Sequence, residues 1–453
     1  MTVGVLRAAQ RFGEFIASGV PPAAARARAA AAVLDTIGVA LAGASEPAAQ
    51  IVRKTIAADG GGGSVLMGAR ETASAPNAAL ANGTAAHALD FDDMCFVSLA
   101  HPSAPLVAGT LAAAEIVGAS GASVLDAYVV GFEVEARLGV AMNPRHYERG
   151  WHCTSTLGTV GTAAAASRVL RLDFVRTAHA LAIAASEASG LKENFGTMVK
   201  PLHAGLAARS GLLAALLAKN GMTASEAAIE GSQGFLAAMD SRLPTADDQA
   251  ADLGSRWEII DTGITVKLYP SCAGTHPTID ALLALRRREG FAASDVDQVE
   301  VFVDSITPTV LIHERPASPL EAKFSMPFCA AAAIVDGHVG IDTFENALSA
   351  PAIISMMPRV LMRADPALDG VGAPLTQARL RVRLRGGRVL EASANGARGY
   401  PERPASEDEL AAKFLSCAAR AIPESQAREA LTMLRRIETL ADIRELTRTL
   451  AHA

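Results

Sequence analysis

The segment His87-Ala-Leu-Asp90-Phe-Asp92-Asp93, followed by His101-Pro-Ser103, sets three carboxylates and two histidines in a chain otherwise rich in alanine. Charges this dense are costly to bury unless they are paired, bound to a metal or used in catalysis. Three later segments repeat the pattern of a few polar groups among small, apolar residues. They are Gly150-Trp-His152-Cys-Thr154-Ser-Thr156, Lys200-Pro-Leu-His203-Ala-Gly205 and Lys267-Leu-Tyr-Pro-Ser-Cys272-Ala-Gly-Thr-His276. The four segments read as pieces of one active site. Histidine supplies proton transfer near neutral pH, and lysine supplies anion binding.

Plainer readings stand beside that one. Asp90, Asp92 and Asp93 also suit solvated acids at a helix C-terminus, a Mg²⁺ site, or a buried aspartate that acts as a base or orients a histidine. The Mg²⁺ reading calls for aromatic walls and a second acidic motif. With 4% aromatic residues and no such motif, it ranks low. A lone histidine is more often a hydrogen-bonded core residue than a catalyst, but His101, His152, His203 and His276 each have a second polar group nearby. No HxH, HExxH or paired His/Cys spacing supports zinc, so no metal site is expected.

Lys200 and His203 are three residues apart and share a helix face. Pro201 suits a first turn, which puts Lys200 at or just before the N-terminus, a natural carboxylate-binding corner. The alternative is a surface lysine beside a packing helix. Lysine is rare in this chain, with seven in all, so Lys200 and Lys267 draw notice. Lys267 falls at an expected domain junction, where pockets are favoured. Cys272 reads as a small packing residue rather than a reactive thiol.

Composition narrows the class. Net charge is −6, which gives no electrostatic reason to expect nucleic acid or an anionic membrane as partner. Charged residues such as Glu115 and Asp126 interrupt the apolar runs, so no membrane span is expected. Arg7, Arg11 and Glu14 lie at helical spacing, with no secretory signal expected. Five scattered cysteines without a CxxC pair fit a reducing cytoplasm.

The elements that must position these groups are mostly helical. Helices are expected at 23–43, 75–93, 103–118, 122–141, 155–169, 173–188, 202–219 and 223–230, with a flexible loop at Gly60–Gly63. Near residue 265 the pattern changes. Val299-Glu-Val301-Phe-Val303 and Arg379-Leu-Arg-Val-Arg-Leu-Arg385 alternate with period two, and Gly386-Gly387 signals a hairpin. The arginines at 379–385 mark a solvent face. Helices are expected between the strands at 276–289, 321–336 and 342–349. Ser406-Glu-Asp-Glu409 is a capping box opening a further helix. The expected fold is mainly α: a large all-helical domain built from both chain ends (1–265 with 401–453) and a smaller α+β domain (266–400).

In order and spacing, these residues resemble the MmgE/PrpD family, which includes 2-methylcitrate dehydratase, cis-aconitate decarboxylase and iminodisuccinate epimerase. The matching pieces are Asn82-Gly83, His87 through Asp93, His101-Pro-Ser103, Gly150-Trp-His152, Thr156-Leu-Gly158, Gly196 through Lys200, His203-Ala-Gly205, Lys267 through Cys272 and Ala322-Lys-Phe-Ser325. The resemblance implies a homodimer, a lid role for the smaller domain, and no metal or organic cofactor. By similarity to the decarboxylase branch, Asp90, His101, His152, Lys200 and Lys267 fall at active-site positions. Asp93, Thr154, His203, Cys272 and His276 are the candidate substrate contacts beside them. Met94 stands where that branch has threonine, and Phe328 where it has tyrosine. The runs 192–198 and 150–158 look closer to the epimerase branch.

The family reactions share proton movement at a carbon beside a carboxylate, with charge building on that carboxylate. The expected function is therefore a cofactor-independent lyase of a small di- or tricarboxylic acid, first a dehydratase. Epimerase or decarboxylase chemistry is the alternative, and a non-catalytic helical dimer binding a carboxylate metabolite is the rival from another class.

Overall fold

The computed structural model describes residues 8–239, 249–371 and 375–452. The protein is mostly helical with a small mixed sheet. It divides into two compact units. Unit 1 comprises Met1–Ala88, Asp92–Ile264 and Ser406–Ala453, and unit 2 comprises Leu89–Phe91 and Thr265–Ala405.

Unit 1 contains α1 (Ala8–Ser18), α2 (Ala23–Gly43), α3 (Pro47–Ile56), α4 (Ala75–Ala88), α5 (Ser103–Val117), α6 (Gly121–Met142), the short α7 (Arg145–Glu148), α8 (Cys153–Val169), α9 (Phe174–Glu187) and α10 (Val199–Lys219). Helices α4, α5, α8 and α10 pack together at its centre. Small residues allow this closeness. A Cβ on Gly205 would sit 2.3 Å from the Leu80 carbonyl oxygen, so only glycine lets α10 meet α4 there. The helix Glu407–Ala418, first of those in the C-terminal segment, packs on α2, and the buried Lys413 ammonium pairs with Asp35 at 2.6 Å. Its N-terminus is the capping box expected from Ser406 and Glu409.

Several boundaries differ from the sequence reading. The expected helix over 75–93 stops at Ala88, and Asp90 takes φ +52°, a left-handed conformation aspartate tolerates better than most residues. Helix α10 starts at Val199, so Lys200 lies inside its first turn, and it is buried rather than a surface lysine. Residues 223–225 are irregular and 226–230 form turns, where a helix is expected over 223–230. Unit 1 is also not purely helical. β1 (Ser64–Val65) pairs antiparallel with β2 (Thr72–Ala73). The Asn82 amide donates to the Val65 carbonyl (2.9 Å) and Glu115 accepts from the Val65 N–H (3.3 Å), which ties the pair to α4 and α5. Arg7 lies outside the described residues.

By length and composition α10 passes as a membrane span, with mean hydropathy 1.3, contrary to the expectation that charges interrupt every apolar run. Yet 61% of that stretch is buried inside the protein, the condition of a core helix.

Unit 2 is built on a four-stranded sheet of β3 (Val296–Val303), β4 (Val360–Ala364), β5 (Gln377–Leu384) and β6 (Val389–Asn395), in the order β4-β3-β5-β6. The β5–β6 hairpin turns at Gly386-Gly387 as expected. β4 runs parallel to β3 and escaped the sequence reading because its burial does not alternate. Val299, Val301, Val303, Leu380 and Val382 face a core shared with helices His276–Glu289 and Met326–Val335. On the other face, Arg379, Arg381 and Arg383 are exposed and pair with Asp365, Glu391 and Asp297. The helix expected over 321–336 is broken at 323–325, where Ser325 caps a new start.

Candidate active site

Unit 1 gathers a compact array of imidazoles. His87 sits in the last turn of α4, and the polypeptide rejoins the unit at Asp92 and Asp93 before α5 begins. His87 Nδ1 lies 2.8 Å from Asp92 Oδ2, and His101 Nδ1 lies 3.4 Å from the same oxygen. The His87 ring is edge-on to His101 at 4.6 Å and stacked near His152 at 5.7 Å. His152, at the start of α8, brings its Nδ1 to 3.0 Å from Nδ1 of His203 on α10. Thr154 accepts a hydrogen bond from the His101 backbone N–H (3.0 Å), holding that segment in place. Phe195 lies edge-on to His152 at 4.9 Å, with the Lys200 ammonium 5.5 Å from the Phe195 ring centre.

Burial governs the charges of this array. It pushes His87 down to about 3, with Asp92 partly opposing, and it holds His152 well below its usual value, aided by His87 and the Lys200 charge. His203 is lowered by burial and then by Lys200. All three rings are therefore neutral at physiological pH, ready to accept a proton rather than already carrying one. Burial pushes the Asp92 carboxyl up, but His87 and His101 together outweigh it and keep the group ionised.

Asp93, expected as a substrate contact, faces elsewhere. Its Oδ1 accepts from the Ser103 N–H (3.2 Å), and its Oδ2 bonds the Ser103 hydroxyl, which also contacts Tyr128. Burial raises its pKa to about 8, against the pull of Ser103. Asp93 is thus a neutral acid that anchors the start of α5.

Unit 2 holds a second group. Lys267 Nζ donates to the Asp90 carboxylate (3.0 Å) and to the Asp90 carbonyl (2.9 Å), and Lys323 Nζ donates to the Leu89 carbonyl (2.6 Å). These bonds give the left-handed turn at Asp90 its partners and explain why helix geometry ends before it. Cys272 is buried, with its N–H bonded to the Lys323 carbonyl (3.0 Å), consistent with packing. His276 is fully buried, edge-on to Tyr269 at 5.2 Å; its Nε2 donates to the Ser271 carbonyl (3.1 Å) and its Nδ1 has no partner among the described residues. Burial, then Lys267, lowers its pKa to about 3. Phe328 lies in the unit 2 core against Phe344.

Ligating atoms of His87, Asp92 and His101 lie within 4.8 Å of one another, a spacing that admits a cation although no linear metal motif announces it. One oxygen of Asp92 is held by His87 Nδ1, while its other oxygen and His87 Nε2 have no partner among the described residues. His87 and Asp92 were absent from the sequence-derived site. The signal for them was present, five residues apart across the end of α4, but it marked Asp90 and Asp93 equally.

Residues 12–245 match the MmgE/PrpD N-terminal domain and residues 269–439 the MmgE/PrpD C-terminal domain. The chain is 30% identical to the cis-aconitate decarboxylase-like protein oryM of Aspergillus oryzae, over 82% of this chain and 81% of that protein. It is 29% identical to the cis-aconitate decarboxylase of Mus musculus (82% and 78% covered). It is 27% identical to that of Aspergillus terreus (92% and 90% covered). With both family domains matched in order along the sequence, the chain belongs to the MmgE/PrpD family.

Proposed function

We propose that this protein is a lyase of a small tricarboxylic acid, using its own side chains as acid, base and anion clamps. The observation that carries the reading is the buried array of imidazoles, with His87 against Asp92 and His152 against His203, and with the Lys200 charge helping to keep His87, His152 and His203 neutral. A neutral, dry imidazole is the right ground state for taking a proton from carbon. Lys200 supplies positive charge for a carboxylate and for the enolate-like charge that builds as the proton leaves. In dehydration the neighbouring hydroxyl then departs with a proton as water. In decarboxylation no proton is taken first: the bond from carbon to the carboxylate breaks, CO₂ leaves, its electron pair stays on the substrate as enolate-like charge, and a proton delivered from water through the imidazoles is added to carbon.

Dehydration is the first reading, because Met94 and Phe328 bring no hydroxyl where the decarboxylase branch has one. Decarboxylation is the second, supported by the names of the relatives above. One screen tests both: purified protein incubated in D₂O with cis-aconitate, citrate, 2-methylcitrate and iminodisuccinate, followed by NMR. Loss of water or of CO₂ assigns the reaction. Deuterium entering without net conversion assigns an epimerase, and unchanged spectra for all four defeat the proposal in favour of a non-catalytic binding protein.

A homodimer in a reducing, cytoplasmic compartment belongs to the same proposal. All five cysteines are buried and none is in a disulfide, which suits that compartment. Light scattering at the expected dimer mass tests the assembly.

A further inference from the structure

We propose that Asp92 is a positioning residue that anchors His87 by its Nδ1 atom. It fixes the His87 ring in the Nδ1–H tautomer and leaves Nε2 as the proton acceptor. This deepens the proton-transfer reading of unit 1 and rests on it for its catalytic consequence. Asp92 Oδ2 lies 2.8 Å from His87 Nδ1, a hydrogen bond, and 3.4 Å from His101 Nδ1, an ion-pair distance. An ionised carboxylate only accepts hydrogen bonds, so the ring nitrogen bonded to it must carry the proton.

Two further observations agree. Asp92 is fully buried, and its charge is met by imidazoles; its other oxygen has no partner among the described residues. A carboxylate kept in that condition is expensive, and replacing it with a neutral residue would relieve the cost, so its retention here suits a role in the site. His87 Nε2 is likewise buried without a partner, as a lone-pair nitrogen would be when the proton sits on Nδ1. The carboxylate thereby orients His87 and stabilises the imidazolium that forms when it takes a proton, the part a buried aspartate plays beside a catalytic histidine.

The test is ¹⁵N-histidine labelling with long-range ¹H–¹⁵N spectra at neutral pH, using His87→Gln to assign the ring. The expected result is a protonated Nδ1 and a bare Nε2 on His87. Asp92→Asn should shift that ring toward the Nε2–H form and lower kcat by about 10²-fold while KM stays within about threefold. An Nε2–H form of His87 in the unmodified protein overturns the proposal, as does an Asn variant with unchanged kcat. If the Asn variant does not fold, the spectrum of the unmodified protein decides. The spectra need no substrate, so a failure of the lyase reading leaves the tautomer result distinct.

Discussion

Nδ1 of His152 and Nδ1 of His203 lie 3.0 Å apart, and both rings are buried and pulled below their ordinary pKa. Such a contact needs one N–H and one lone pair, so two neutral rings must hold opposite tautomers. The ring that donates keeps a basic Nε2, and the ring that accepts carries its proton at Nε2. The pair therefore presents one imidazole set to take a proton and one set to give one.

On this arrangement, His152→Gln should lower kcat by about 10²-fold with little change in melting temperature. Turnover at the original rate, measured on folded protein with a confirmed substrate, would remove His152 from the mechanism.

Lys200→Met should act mainly on KM, because a carboxylate clamp contributes to binding before chemistry. A parallel fall in kcat would show that the ammonium also stabilises charge in the transition state. No change in either would make Lys200 a packing residue.

Lys267 and Asp90 form a buried ion pair. Lys267→Met strands the carboxylate and should cost about 3 kcal/mol of stability, whereas Lys267→Met with Asp90→Asn should recover most of it. Denaturant unfolding of the three proteins gives the answer. Equal losses in the single and double variants would argue against the pairing.

Asp93 gives a pH signature. Its pKa in the folded protein is about 8 against an ordinary 3.8, so between those values the folded state holds a proton that the unfolded state has lost. Its contribution to stability therefore falls as pH rises through that window and levels off above it. Asp93→Asn, which cannot ionise, should flatten this slope, by an amount on the order of a few kcal/mol across the window. Unfolding curves between pH 5 and 9, on the order of one pH unit apart, read the difference directly. An unchanged slope would mean that Asp93 is ionised in the folded protein.

Chelation should leave activity unchanged. One Asp92 oxygen is engaged by His87, and the acids have no second acidic motif behind them. Activity lost on treatment with a chelator and restored by zinc or iron would revive His87, Asp92 and His101 as ligands.

The sequence alone carried the helix pattern, the hairpin at 386–387, the capping box at Ser406 and the polar segments. These are local signals, written in the period of apolar residues and in turn chemistry. It also carried the family, because the motifs recur in order along the chain. Tertiary structure decided which atoms meet. Three aspartates within four positions look alike in sequence, yet Asp90 pairs with Lys267, Asp92 faces two histidines and Asp93 is held by Ser103. The cause is the backbone, which leaves the helix at Ala88 and turns through a left-handed Asp90, sending successive carboxylates in different directions. Protonation followed the same division. Residue type sets the ordinary pKa, but only burial and the neighbours brought in by packing made His87 and His152 neutral and left Asp92 charged.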